Sequence, residues 1–311
     1  MAQPHDTASQ HDPQDIEELP SSVNIYHYNS MDDFCRVISL ERNRLYCSLP
    51  TAQGNDEGPQ DNLIRLPQTE GTQSDHIIFI VHPVTFAQDF FYSSADLPFH
   101  DRISFNPKNH LLVVKMPVPA HEQAAAEFGH TLISALQERG LQKAVFSWGS
   151  TTLTDENGTR KEADGGWGPR RPPHGAPKRP SVVLEVASSE TPAKLRRDAH
   201  YWVDPAKGQA NIAFTVKVHN KIPQITIQRW EWNSEVSRPI RKTDLTITKS
   251  RSDGKVHFNP GQPTPQLLIP FHLLFRRPAE NHRERDIVFG TQDLVELATL
   301  VWDMQFQKEQ E

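Results

Sequence analysis

Three carboxylates stand where they could do chemistry. Glu122 lies near the start of a long amphipathic run, Asp164 precedes a glycine pair, and Glu185 sits inside the apolar stretch SVVLEVA (181–187). Side chains alternate along a strand, so Val182, Leu184 and Val186 share one face and Val183, Glu185 and Ala187 the other. An ionised carboxylate among apolar neighbours is costly without a partner, and a cation or a metal ion is the natural compensation. The next segment offers one. In PAKLRRDAHYWV, Leu195, Ala199 and Trp202 make an apolar helical stripe, with Lys194, Asp198 and Tyr201 on a second stripe beside it. Lys194 and Asp198 can therefore both look along the sheet toward Glu185. Two or three carboxylates plus a lysine at a sheet edge are the groups of Mg²⁺-dependent phosphodiester cleavage. Acids hold the hard cation through oxygen. The cation activates water and neutralises developing charge, while the lysine orients or helps deprotonate the nucleophile.

Each residue also has a plainer role open to it. Glu185 can pair with Lys217 on a neighbouring strand as a structural salt bridge. Asp164 can shape a turn with Gly165 and Gly166. Glu122 can be a first-turn acid favoured by the helix dipole, and Lys194 a solvated helix lysine. His121 falls on the buried face of its helix and reads as a satisfied core histidine.

The elements that must position these groups are legible in the pattern. HIIFIV (76–81), HLLVVKM (110–116), AVFSW (144–148), SVVLEVA, NIAFTVKV (211–218) and QITIQRW (224–230) read as strands. Residues 120–139 read as a helix with Ala124, Phe128, Leu132, Ala135 and Leu136 on one stripe and Gly140 as a left-handed cap. TLTDENGTRKEAD reads as a hairpin around Asn157-Gly158. Thr191-Pro192 supplies an N-cap and a first-turn proline for a helix to about Val203. The last two strands form a hairpin across His219–Pro223. Residues 233–265 are polar and weakly patterned, QLLIPFHLLF (266–275) is packed, and Thr291–Gln307 is an amphipathic terminal helix. Residues 1–20 read as a disordered tail. The expected architecture is α/β (α+β): a central mixed sheet with strands near 111–116, 144–149, 181–187, 211–218 and 224–230, flanked by helices. The core spans 108–232 of a single domain over 21–311, with a β-rich N-terminal extension over 21–107 and a C-terminal extension over 233–311.

Composition excludes several classes. With 311 residues there is chain enough for one large core, and the two cysteines, Cys35 and Cys47, make neither a disulfide framework nor a four-thiolate zinc site. They read as reduced thiols of an intracellular protein, cytosolic or nuclear. No apolar run approaches the roughly 20 residues of a membrane span, and the first residues lack the features of a secretory signal. The net charge of −6 gives no whole-protein basic field, so any DNA or RNA contact must use a local patch. The proline-punctuated run Arg170, Arg171, Lys178 and Arg179 is such a patch, either a solvated loop or a phosphate-tracking one. No glycine-rich phosphate cradle, HExxH or GxSxG appears, which argues against P-loop, zincin and serine-hydrolase chemistry.

The ordered string MPVPAHEQAAAEFGHTLISALQERGL, SWGS, RKEADGGWGPRRPP, SVVLEVASSETPAKLRRDAHYWV, NIAFTVKV, QITIQRWEW and the tail QLLIPFHLLFRRP to DIVFGTQDLVELATLVWDMQ resembles a large set of uncharacterised fungal proteins. The resemblance covers roughly residues 108–305, and that set is similar to the PD-(D/E)XK, or restriction-endonuclease-like, nuclease superfamily. The resemblance implies Glu122 as the helix acid, Asp164 and Glu185 as ligands of Mg²⁺, and Lys194 as the assisting lysine. It departs at Ala187, where the usual motif carries lysine two residues after its glutamate. Some related groups move that lysine to the following helix, where Lys194 stands. The implied activity is metal-dependent cleavage of nucleic acid. The alternative is a degenerate nuclease fold that binds nucleic acid or protein without cleaving it.

Overall fold

The computed structural model describes residues 23–48, 74–91, 101–149, 152–250, 252–259 and 265–306. The tail expected at 1–20 lies outside them. In chain order come β1 (Asn24–His27), α1 (Met31–Ser48), β2 (His76–Ile80), the short helix α2 (Pro83–Phe86), β3 (Arg102–Asn106), β4 (Leu111–Lys115) and α3 (Pro119–Gln137). Next are β5 (Val145–Ser147), β6 (Thr152–Thr154), β7 (Arg160–Glu162), β8 (Gly165–Pro169), β9 (Val182–Ala187), α4 (Pro192–Val203), β10 (Ile212–Val218), β11 (Gln224–Asn233), β12 (Arg238–Lys249) and β13 (Val256–Phe258). The chain closes with β14 (Leu267–Ile269), α5 (Phe271–Phe275), β15 (Ile287–Phe289) and α6 (Thr291–Gln305).

Among the described residues the strands form two large mixed sheets. The first runs β1-β2-β4-β3-β7-β6, with β1 and β2 parallel; the second runs β13-β12-β11-β10-β9-β8-β5, with β9 and β10 parallel. The fold is therefore mixed α+β, sheets flanked by helices. Val182, Leu184 and Val186 face α3, α6 and the β14–β15 pair, whereas Val183 faces α4 with Trp202, Ala213 and Trp230. The alternation expected of β9 holds, and it turns Glu185 toward α4.

Three expectations need correction. The strand at 111–116 belongs to the first sheet, not to a shared central one. The N-terminal region is not chiefly β: α1 buries Phe34, Val37, Ile38 and Leu45 against Ile77, Phe79, Leu112 and Val114 of the first sheet. The polar region after residue 233 holds the twelve-residue β12, whose inward side chains include Leu245 and Ile247. Its period-2 signal is short because much of the strand is partly exposed.

The local signals around the acid-bearing segment act as read. Thr191 Oγ1 accepts from the Lys194 amide at 3.1 Å with Pro192 in the first turn. Gly140 takes φ +69 after α3. Gly208 lets the chain return tightly over α4: a Cβ there would meet Trp202 Cα at 2.5 Å and Trp202 O at 2.7 Å. Because both contacts are backbone, Gly208→Ala is expected to lower stability by roughly 2 kcal/mol or more in urea unfolding. A change within experimental error would mean that the return is looser in solution.

Among the described residues no helix is long and apolar enough to cross a membrane.

Candidate functional site

The two sheets meet through charge. Lys115 ends the apolar strand β4, and alternation puts it opposite Leu112 and Val114, which bury against α1. Its ammonium donates to Asp164 Oδ2 at 2.8 Å and to the Val186 carbonyl at 2.6 Å. It lies 3.4 Å from Glu190 Oε1 and 3.9 Å from Glu185 Oε2. One lysine thus contacts three buried carboxylates.

Asp164 stands just before β8. Its amide donates to Leu184 O at 3.1 Å, and its Oδ2 accepts from the Val186 amide at 2.7 Å, so the carboxylate is tied to β9 by backbone. His121 Nε2 lies 3.2 Å from the same oxygen. Burial opposes the Asp164 charge, but His121 and Lys115 together hold the carboxyl well below the ordinary aspartate range.

Glu185 accepts from Trp202 Nε1, with Lys161 Nζ 3.6 Å from the same oxygen. Burial pushes its carboxyl up to about 7; Lys161 opposes this, while Asp164 and Asp198 add to it. Lys161, in β7, donates to Asp198 Oδ1 at 2.7 Å, and Lys194 donates to Asp198 Oδ2. Beyond Lys115, Glu190 Oε1 lies 2.8 Å from His76 Nε2, whose Nδ1 is 2.6 Å from Asp75. Five buried acids (Asp75, Asp164, Glu185, Glu190 and Asp198) are thereby interleaved with Lys115, Lys161, Lys194 and two imidazoles.

The expected acids Asp164 and Glu185 are brought together, joined through Lys115. Glu122 stays at the rim, its side chain half exposed, 3.5 Å from both Arg102 and His121. Lys194 reaches Asp198, and it is Lys161 that stands beside Glu185. The alternative pairing of Glu185 with Lys217 does not occur: Lys217 donates to the carbonyls of Ser188 and Glu190. His121 is fully buried, yet neither ring nitrogen has a hydrogen bond of good geometry; its contact with Asp164 is electrostatic. Lys115, Lys161, Glu190, His76 and Asp75 escaped the reading. Lys115 carried the same signal as Glu185, a charge in the apolar run LLVVK.

The basic residues sit elsewhere. Gly165 pairs with Leu184 and Trp167 with Val182, so Asp164 and Glu185 lie at one end of the β8–β9 hairpin. Arg170, Arg171, Lys178 and Arg179 lie in the loop at the other end, about 20 Å along the strand at 3.3 Å per residue. Arg170, Arg171 and Lys178 are exposed and Arg179 is half-buried. Among the described residues, no three His, Cys, Asp or Glu side chains are disposed to hold a metal ion.

No family model matches the chain, and no curated protein matches it. Among solved structures, it is similar to a candidate nuclease belonging to DUF820 from Anabaena variabilis, at 10% identity and a TM-score of 0.37, covering 68% of this chain and 97% of that one.

Proposed function

We propose that this protein is a PD-(D/E)XK-like module that binds nucleic acid without cleaving it, and that its acid cluster serves as a structural hub between the sheets. One observation carries this reading: the Lys115 ammonium occupies the meeting point of Asp164, Glu185 and Glu190. A lysine there supplies the compensation that a divalent cation would supply in a cleaving site. The donor set fits Mg²⁺ poorly in this arrangement. Asp164 Oδ2 is already shared between an ammonium and an amide, and Glu185 Oε1 is taken by the Trp202 indole. An octahedral ion at about 2.1 Å would have to sit beside that ammonium, a like charge sharing the same oxygens.

A second reading keeps Asp164 and Glu185 as ligands of Mg²⁺, with Glu122 completing the acid set and Lys194 assisting. It is favoured by Asp164 Oδ1, which is buried without a hydrogen-bond partner.

One experiment separates the two. Wild type, Glu185→Ala and Lys194→Ala are incubated with labelled DNA and RNA in Mg²⁺ or Mn²⁺, and melting is followed with and without Mn²⁺. The binding reading expects no cleavage above blank in any of the three and no Mn²⁺-dependent rise in melting temperature. Cleavage by wild type that disappears in a folded Glu185→Ala variant would establish the second reading instead.

A further inference from the structure

Strand β5 is an edge of the second sheet, paired among the described residues with β8. It carries Phe146, 52% exposed, whose ring stands 5.5 Å from that of Trp148 in an edge-on arrangement. A large exposed aromatic on an edge strand calls for an occupant or a reason, and Trp148, just past the strand, is partly buried beside it. The register gives the first clue. Phe146 opposes Gly168, and the Trp148 amide donates to Gly166 O, so the neighbouring strand presents no side chain across from either ring.

The second clue is what covers those glycines. A Cβ on Gly168 would meet Arg179 O at 2.9 Å, and one on Gly166 would meet Pro180 Cβ at 3.2 Å and Trp148 Cβ at 3.4 Å. The end of the basic loop therefore crosses the same face of β8 as the aromatic pair. Its beginning is fixed there too, because the Arg170 amide donates to Ala144 O at 2.8 Å. A further arginine joins from α5. Arg276, at the left-handed end of that helix, donates to Pro177 O at 3.0 Å and Pro180 O at 3.3 Å and so braces the loop from behind.

Arg170, Arg171, Lys178, Arg179 and Arg276 have no ion-pair partner among the described residues. Burial and the neighbouring Arg276 pull Arg179 down to about 10, and both Arg179 Nε and Arg276 Nε are buried without an acceptor. A protein of net charge −6 thus gathers uncompensated cations beside the exposed Phe146 ring.

We propose that the β5 edge and the 170–180 loop form a binding surface for single-stranded nucleic acid, with phosphates on the basic side chains and a base on Phe146. The combination of a cationic track and an exposed aromatic ring suits unpaired bases, whose faces are free to stack. A duplex hides its base faces and would leave Phe146 idle. This deepens the binding reading above and places the contact at the far end of the β8–β9 hairpin from the acid cluster.

The test is fluorescence anisotropy of a short labelled oligothymidylate titrated with the full chain across a salt series. Wild type is expected to bind, with unlabelled single strand competing far better than duplex or oligoglutamate. Phe146→Ala is expected to weaken binding about 10-fold, as loss of one stacked base implies, without changing the salt slope. Arg170→Ala with Arg171→Ala is expected to flatten the slope of log K against log salt by about 0.7 per charge removed. All three positions are exposed, so their folding is not at issue. Wild-type binding left untouched by these variants would overturn the surface and spare the binding reading. No binding by wild type at low salt would overturn both. Oligoglutamate competing as well as the oligonucleotide would assign the patch to an acidic peptide and overturn the proposal.

Discussion

Lys115→Met is expected to cost about 3–5 kcal/mol, the range for breaking a buried ion pair by removing one partner. The methionine introduced is similar in length to lysine and apolar, so packing changes little. What changes is charge. Asp164, Glu185 and Glu190 lose the ammonium they share, and the Val186 carbonyl loses a donor. Against a total stability of about 5–15 kcal/mol the loss is large enough to shift the urea midpoint steeply or to prevent folding. Because the single variant risks yielding no folded protein, the informative comparison is a double-mutant cycle with Asp164→Asn. Neutralising Asp164 removes one of the stranded charges, so the double variant is expected to be more stable than the sum of the two single losses predicts. A folded Lys115→Met variant within about 1 kcal/mol of wild type would mean that the acids are compensated by water or by an ion, and the hub reading would fall.

The same cluster shows where sequence reasoning reaches and where it stops. Glu185 was legible because a carboxylate in SVVLEVA breaks a local rule, and its facing toward α4 followed from period 2. The cap at Thr191 and the left-handed Gly140 are also local. The partners of the acids are not. Lys115 reaches Asp164 across 49 residues of chain and Val186 across 71, and nothing in the pattern of either strand specifies that the two sheets touch there. Helix α1 was hidden because Glu41, Arg42 and Arg44 interrupt its apolar stripe. The basic loop's distance from the acids was hidden by β8. The sequence GGWGP has no strand signature, because four of its five residues are glycine or proline, and its extended form is set by pairing with β5 and β9. Without that strand, Asp164 and Arg170 look like neighbours on one loop; with it, they stand at opposite ends of a hairpin.

Stability is expected to fall as pH rises from about 4.5 to 9, contrary to the plateau usual near neutrality. Two buried groups set the sign. Burial lifts Glu185 to about 7 from an ordinary value of 4.5, so across that interval the folded protein keeps a proton that the unfolded chain releases. Burial works against a charged His121, but the adjacent Asp164 outweighs it and raises the imidazole to about 9 from 6.5. The stabilisation from each is complete below its unfolded value and is lost as pH climbs through its folded value. Each proton contributes a slope of about 1.4 kcal/mol per pH unit within its window. On the acid side the sign reverses. Asp75, held at about 2, and Asp164, Glu190 and Asp198, all lowered, stabilise above the ordinary carboxylate range and lose that contribution as pH falls through their folded values. Urea unfolding at a series of pH values is therefore expected to peak near the acid end of this range. His121→Gln should flatten the limb above about pH 6.5 and leave the lower limb standing, while Glu185→Gln should do the converse. Because these groups share Asp164 and Lys115, the protons leave the cluster in joint steps, and each variant should also displace the remaining limb slightly. Stability that stayed flat or rose between those limits would show that the two groups titrate as if in water, and that the space between the sheets is open to solvent.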